Sequence, residues 1–234
     1  MLRITRAAIA ESLGPLCRFY QLDVSDPSSI QAFVQALGKD LPGQQIDLLI
    51  NNGAVLLSDW NQENFNAAIN TNVAGPVSLT RALEPQLKDG ALVINVSSLV
   101  GQRSHIKDQD YIKRIHDATS VNELYSSLKF KQDSLQNGQL TSTYSISKAA
   151  LSKATTLMSQ EPALKERRIS LVSVCPGWCR TTMGQVGATV HNLPPPPRSP
   201  EEGADSILWP FTHFKDQLNG GYLDEAGEQF KDIV

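Results

Sequence analysis

The sequence predicts an α/β fold, a doubly wound and mostly parallel sheet flanked by helices, on three observations. Short apolar runs rich in Val, Ile and Leu recur at 46–50, 91–97 and 169–175, as in strands buried on both faces. The segments between them carry apolar residues at helical spacing. Polar and glycine-bearing clusters stand at the carboxyl ends of the runs, where open sheets of this kind bind ligands.

Each element has a local reason. Phe19–Val24 reads as a short strand, and Asp26 is then a good N-cap with Pro27 at the first helical position. Ile30, Phe33, Val34 and Leu37 form one apolar stripe behind that cap. After the Pro42-Gly43 turn and the 46–50 strand, a helix over Phe65–Leu87 is expected, kinked or broken at Gly75-Pro76. The 91–97 strand leads into a polar segment, 102–142, whose weakly amphipathic stretches at Tyr111–Ile115 and Val121–Phe130 read as a helical insertion. A helix carrying Tyr144 runs to about Gln160 and is stopped by Pro162. Beyond the 169–175 strand, Gly184–Arg198 reads as irregular. It ends in four prolines, 194–197, that favour an extended surface conformation, a substrate-side flap in preference to a plain linker. A helix from Pro200 to about Phe211 and a strand at 221–223 close the chain.

Composition narrows the function classes. The 234 residues are most simply one domain, 1–234, with 102–142 inserted. A formal net charge of −3 offers no electrostatic case for nucleic acid or an anionic membrane. No apolar run reaches spanning length and the first residues lack a signal-peptide pattern. Three cysteines, 17, 175 and 179, suggest reduced thiols and a cytoplasmic protein. The four histidines, 105, 116, 191 and 213, lack ligand spacing, so no metal site is expected.

Tyr144 and Lys148 are four positions apart and share one helix face. At roughly 5 Å and an effective dielectric near 20, the ammonium favours the phenolate by about 3 kcal/mol. That predicts a phenol pKa lowered by about two from its usual value, into the range useful for proton transfer. Around the pair stand Asn51-Asn52-Gly53-Ala54, Asn72-Val73-Ala74-Gly75, Val96-Ser97-Ser98, and Pro176-Gly177 with Thr181.

With these five motifs in this order, from about Leu22 to the end, the chain resembles the short-chain dehydrogenase/reductase family. Cys175-Pro176-Gly177-Trp178-Cys179-Arg180-Thr181, Ser199-Pro200-Glu201-Glu202-Gly203-Ala204 and the insertion point within it to the monomeric carbonyl reductases. The resemblance implies a Rossmann-type sheet and NADPH-dependent hydride transfer to small ketone, aldehyde or quinone carbonyls. It implies Tyr144 as general acid, and Lys148 as the group that depresses its pKa and binds the nicotinamide ribose. Ser98 would orient the carbonyl oxygen, and Asn72 would hold a water linking Lys148 to solvent. Ser97 is the weaker candidate, because only one of two successive strand residues faces the cleft. Plainer alternatives are a loop cap for Ser98 and a self-bonded helix kink for Asn72.

For the cofactor the resemblance implies Asp23 and Val24 at the adenine and Asn52 along the adenosine. Tyr144, Lys148, Pro176, Gly177 and Thr181 fall at the nicotinamide end. Arg6 stands where a basic residue meets the 2′-phosphate, favouring NADPH, or is simply an exposed arginine. Trp178 is the candidate substrate wall, or else a core tryptophan. The family usually has Asn-Asn-Ala-Gly where this chain has Asn51-Asn52-Gly53-Ala54, and Ala54 disfavours positive φ if that place needs it.

The family's opening strand and glycine-rich phosphate turn find no match, so the chain reads as N-terminally truncated. A gap of roughly 14 Å is expected in the sheet between Val24 and the 46–50 strand, with poor or no nicotinamide cofactor binding by this polypeptide because the phosphate cradle is absent. A truncated, non-catalytic reductase-like protein is therefore the alternative function. A sugar-nucleotide epimerase is disfavoured, since little chain follows the 169–175 strand. From position 98 to position 144 is 46 positions. In tetrameric relatives the tyrosine helix packs on another subunit, and an insertion covering it implies a monomer.

Overall fold

The computed structural model describes residues 12–57, 59–135, 142–190, 192–214 and 216–230. Helix α1 is Pro27–Asp40, and Asp26 caps it by accepting from Ser28 N at 2.8 Å. Strand β1, Ile46–Asn51, leads to α2, Gln62–Ile69, then a π-helical turn, Asn70–Ala74, then α3, Gly75–Leu83. Strand β2 is Leu87–Val96. The insertion forms α4, Gln109–Asp117, and α5, Val121–Ser127. Helix α6, Thr143–Met158, carries Tyr144, and a short α7, Pro162–Glu166, begins with the proline expected to stop it. Strand β3, Ser170–Val174, is followed by α8, Thr182–Val190, and α9, Pro200–His213, which opens with a Ser199/Glu202 capping box. Strands β4, Tyr222–Leu223, and β5, Gln229–Phe230, complete the sheet.

The sheet order is β1-β2-β3-β4-β5, the first four parallel and β5 antiparallel. Its register places Asn51 beside Asn95 and Asn95 beside Ser173. Those side chains form a buried ladder. Asn51 donates to Thr80 Oγ1 (3.1 Å) and Asn95 Oδ1 (2.8 Å), Asn95 donates to Thr155 Oγ1 (2.8 Å), and Ser173 donates to the same hydroxyl (2.9 Å). A buried network of this kind links three strands and α6 in one register.

Helix α6 is buried along nearly its whole length. Its small residues allow close packing, and its hydroxyls turn back onto the preceding turn, Ser152 to Lys148 O and Thr155 to Leu151 O. The insertion helices share its core: Ile112, Ile115, Val121 and Leu124 cluster with Ile146, Ala150 and Met158. Two indole and phenol bonds pin the far end of the insertion, Trp60 to Lys131 O (3.0 Å) and Tyr111 to Lys129 O (2.8 Å).

Four expectations need correction. Residues 19–24 form no strand, because no neighbouring strand among the described residues completes a ladder for them. Leu22 and Val24 instead pack on Ile30 and Leu79, and Asp23 N donates to Ser29 Oγ at 2.8 Å. The described sheet accordingly has no internal gap; it is continuous and ends at β1. The break in the 65–87 helix is the π turn just ahead of Gly75, and Leu87 already belongs to β2. Finally, residues 184–190 of the segment read as irregular belong to helix α8. Glycines 184 and 187 lower helix propensity there, but Thr181 Oγ1 accepts from Gly184 N (3.1 Å) as a cap, and Gly184 fits against Cys179 O where a Cβ would come within 2.1 Å.

Candidate active site

Tyr144 stands in the first turn of α6, whose N-cap Ser142 accepts from Tyr144 N at 3.1 Å. Lys148, one turn on, lies over the Tyr144 ring with Nζ 5.5 Å from its centroid. Only 2% of Lys148 is exposed, and its ammonium donates to Val96 O at 2.7 Å. Burial pulls its pKa down to about 8, which the neighbouring Cys175 partly opposes. Tyr144 moves the opposite way from the sequence expectation. Burial, and then the proximity of Cys175, push its pKa up to about 12, while a hydrogen bond from Ser98 works downward. The ammonium is turned to the strand carbonyl and the ring face, so loss of water around the phenol outweighs it.

Ser98 caps the single 3-10 turn Leu99–Gly101 at the end of β2, accepting from Val100 N, and its hydroxyl lies close enough to Tyr144 to hold the phenol's pKa down. The structure thus brings Ser98, Tyr144 and Lys148 together. Ser97 points the other way, into α6, where its hydroxyl donates to Lys148 O (3.0 Å) and pairs with Ser152 Oγ (2.8 Å). Asn72 is fully buried in the π turn. Its carboxamide accepts from Val55 N (2.8 Å) and donates to Val55 O (3.0 Å) and Ser147 Oγ (2.9 Å). It ties the loop after β1 to α6, so its side chain is not a self-bonded kink.

Asp23, Val24 and Asn52 line one pocket of about 450 Å³ with Asn51, Thr71, Pro76 and Leu79. Bonds from Ser25 Oγ and N lower the pKa of Asp23 from its ordinary value. Asn51, only 6% exposed, presents a buried Oδ1 with no partner. The wall made by Val24 approaches so closely that a Cβ on Gly75 would stand 2.8 Å from Val24 O. The doubt over Ala54 dissolves, since it is not among the residues with positive φ.

Gly177 does have positive φ, +75°, and Arg198 Cδ lies where its Cβ would be, at 2.4 Å. The Pro176-Gly177 turn therefore admits only glycine at its second place. Thr181 caps α8 and lines a second cavity, of about 630 Å³, with Arg180, Gln185, Val186 and Pro195. Trp178 is half-buried and donates to Gly184 O at 3.2 Å, so it is pinned against α8 and is not a core tryptophan. Arg6 lies outside the described residues.

Cys175 was missed. Its buried Sγ accepts from Leu99 N and Gly177 N, both at 3.3 Å, and meets the Tyr222 hydroxyl. Its place, last before Pro-Gly at a strand end, was the available signal.

A family model described as short chain dehydrogenase matches residues 3–112. The chain is 32% identical to carbonyl reductase (NADPH) 1 of Sus scrofa over 216 residues, 86% of this chain and 70% of that protein. It is 30% identical to the Homo sapiens carbonyl reductase (NADPH) 1 over 217 residues, 86% of this chain and 73% of that one. Among solved structures it is similar to NADPH-bound carbonyl reductase from chicken fatty liver, with TM-score 0.67 and 26% identity over 89% of this chain and 75% of that one. Salutaridine reductase of Papaver somniferum shares the fold, with TM-score 0.68 and 21% identity over 87% and 81% of the two chains.

Proposed function

The chain belongs to the short-chain dehydrogenase family, and from that premise we propose that it is an NADPH-dependent carbonyl reductase of ketones, aldehydes or quinones. The observation that carries the reading is the convergence of the Ser98 and Tyr144 hydroxyls, with Lys148 against the Tyr144 ring, at the carboxyl edge of the sheet.

A dinucleotide fits the residues present at both of its ends. At the adenosine end, the buried and unpartnered Asn51 Oδ1 is an acceptor waiting for a donor, because a buried polar atom left alone costs about 1–3 kcal/mol. Asp23, Val24 and Asn52 share that pocket. At the nicotinamide end stand Lys148, the Pro176-Gly177 turn and Thr181. The bound cofactor supplies a hydride to the carbonyl carbon.

The chain's own residues handle the oxygen. Burial keeps Tyr144 protonated, the form a reductase needs, and a phenol near 12 still gives its proton readily to a forming alkoxide. Ser98 steadies the same oxygen with a second hydroxyl, so the developing charge meets preorganised donors. Lys148, still largely an ammonium at neutral pH, adds positive charge beneath the phenol. Asn72 holds the loop after β1 on α6 and so keeps the floor of the cleft in place. Trp178, fixed on α8, forms the substrate-side wall.

Addition of NADPH is expected to stabilise the protein. At one hundred times Kd the gain is about 2.7 kcal/mol, or roughly 5–10 °C in Tm for a chain of this size. Steady NADPH oxidation with menadione accompanies it. A folded sample that shows neither is a non-catalytic reductase-like protein, and this reading fails. With α4 and α5 packed over α6, the protein acts as a monomer. Light scattering is expected to return the mass of one chain, and a dimer mass contradicts this.

A further inference from the structure

Ser98 heads a turn of three residues, Leu99–Gly101, yet must meet a hydroxyl on a different element. Two contacts hold that turn. On one side Gly101 lies flat on α6. A Cβ there would stand 2.7 Å from Ala149 N, 2.8 Å from Lys148 C and 3.1 Å from Lys148 Cβ. Two of these are backbone atoms of a buried helix that has no room to withdraw. The φ of Gly101 is not positive, so alanine is conformationally permitted and its exclusion is steric. On the other side Leu99 N donates to Cys175 Sγ, which also takes Gly177 N.

We propose that Gly101 and Cys175 are positioning residues for the reaction: together they clamp the Ser98 turn onto α6 and so set the separation of the Ser98 and Tyr144 hydroxyls. The inference rests on the reductase reading above. Ordinary contact begins near 3.4 Å, so a methyl at 101 displaces the turn by several tenths of an ångström or more. A misplacement of about 1 Å costs on the order of a hundredfold in rate. The adenosine pocket shares no residue with this turn, so cofactor binding at that end is spared.

The test is a double-variant cycle of Gly101→Ala and Ser98→Ala, assayed with NADPH and menadione. Gly101→Ala is expected to lower kcat by about a hundredfold with KM for NADPH little changed, and to add less than about threefold on the Ser98→Ala background, because it acts through Ser98. A kcat within about threefold of wild type, or losses that multiply in the double variant, overturns the proposal. Should Gly101→Ala fail to fold, Cys175→Ala releases the same turn without a clash. A lowered kcat that Cys175→Ser restores supports the clamp, and an unchanged kcat overturns it. One readout needs no turnover: the ¹³Cζ resonance of Tyr144, identified by its loss in Tyr144→Phe. It should move in Gly101→Ala to its Ser98→Ala position, and an unmoved resonance overturns the clamp. Wild type without turnover but with that movement sinks the reductase reading alone.

Discussion

Tyr144→Phe is expected to lower kcat for NADPH-dependent menadione reduction by about 10²–10⁴-fold, the usual range for loss of a positioned general acid. The variant keeps the ring against Lys148 and forfeits one hydroxyl whose polar neighbour is Ser98. The stability cost is therefore only about 1 kcal/mol, and NADPH should still raise Tm. A variant that keeps a tenth or more of wild-type kcat removes Tyr144 from its role. The wild-type profile also carries a sign. Tyr144 remains protonated up to about pH 12, so a fall in reduction between pH 8 and 10 should follow Lys148, whose pKa is about 8, and not the phenol.

Lys148→Met separates activity from stability. The ammonium is buried with one carbonyl partner, and its pKa falls from 10.5 to about 8. Below pH 8 both folded and unfolded chains hold the proton, and the full burial cost is in force. Between about 8 and 10.5 the folded chain releases the proton first. The unfolded chain then binds more protons, so stability rises with pH. The separation of the two pKa values corresponds to about 3 kcal/mol. Cys175 and Tyr144, both raised by burial, act in the opposite direction at the upper end of that window, but they are common to both proteins and cancel in the difference. Denaturant unfolding at pH 7 and pH 10 should show wild type gaining about 3 kcal/mol relative to Lys148→Met, while the variant loses reductase turnover. A difference that stays flat across this range means that Lys148 titrates normally in the fold.

The strands around 46–50, 91–96 and 170–174 were legible because the buried part of a parallel strand is apolar in consecutive residues, whereas the exposed polar start of β2, Lys88–Gly90, was not. Asp26 with Pro27 was equally readable, since a cap is satisfied within four residues. Phe19–Val24 was misread because β-propensity expresses packing on neighbours, and here those are Ile30 and Leu79. Residues 184–190 were misread because their glycines lower helix propensity, whereas Gly184 is small in order to meet Cys179 O.

Side-chain chemistry and spacing along one element could be read from the chain alone: Tyr144 and Lys148 on one helix face, polar clusters at strand ends, a proline that ends α6. Those features depend on covalent neighbours, and 3.6- or 2-residue periods carry them faithfully. The direction of the Tyr144 shift, the inward turn of Ser97, the loop tie made by Asn72, and the places of Gly101 and Cys175 came from the folded molecule. Each depends on which distant atoms exclude water or fill space around a group, and desolvation and steric contact act through space with no trace in the order of residues.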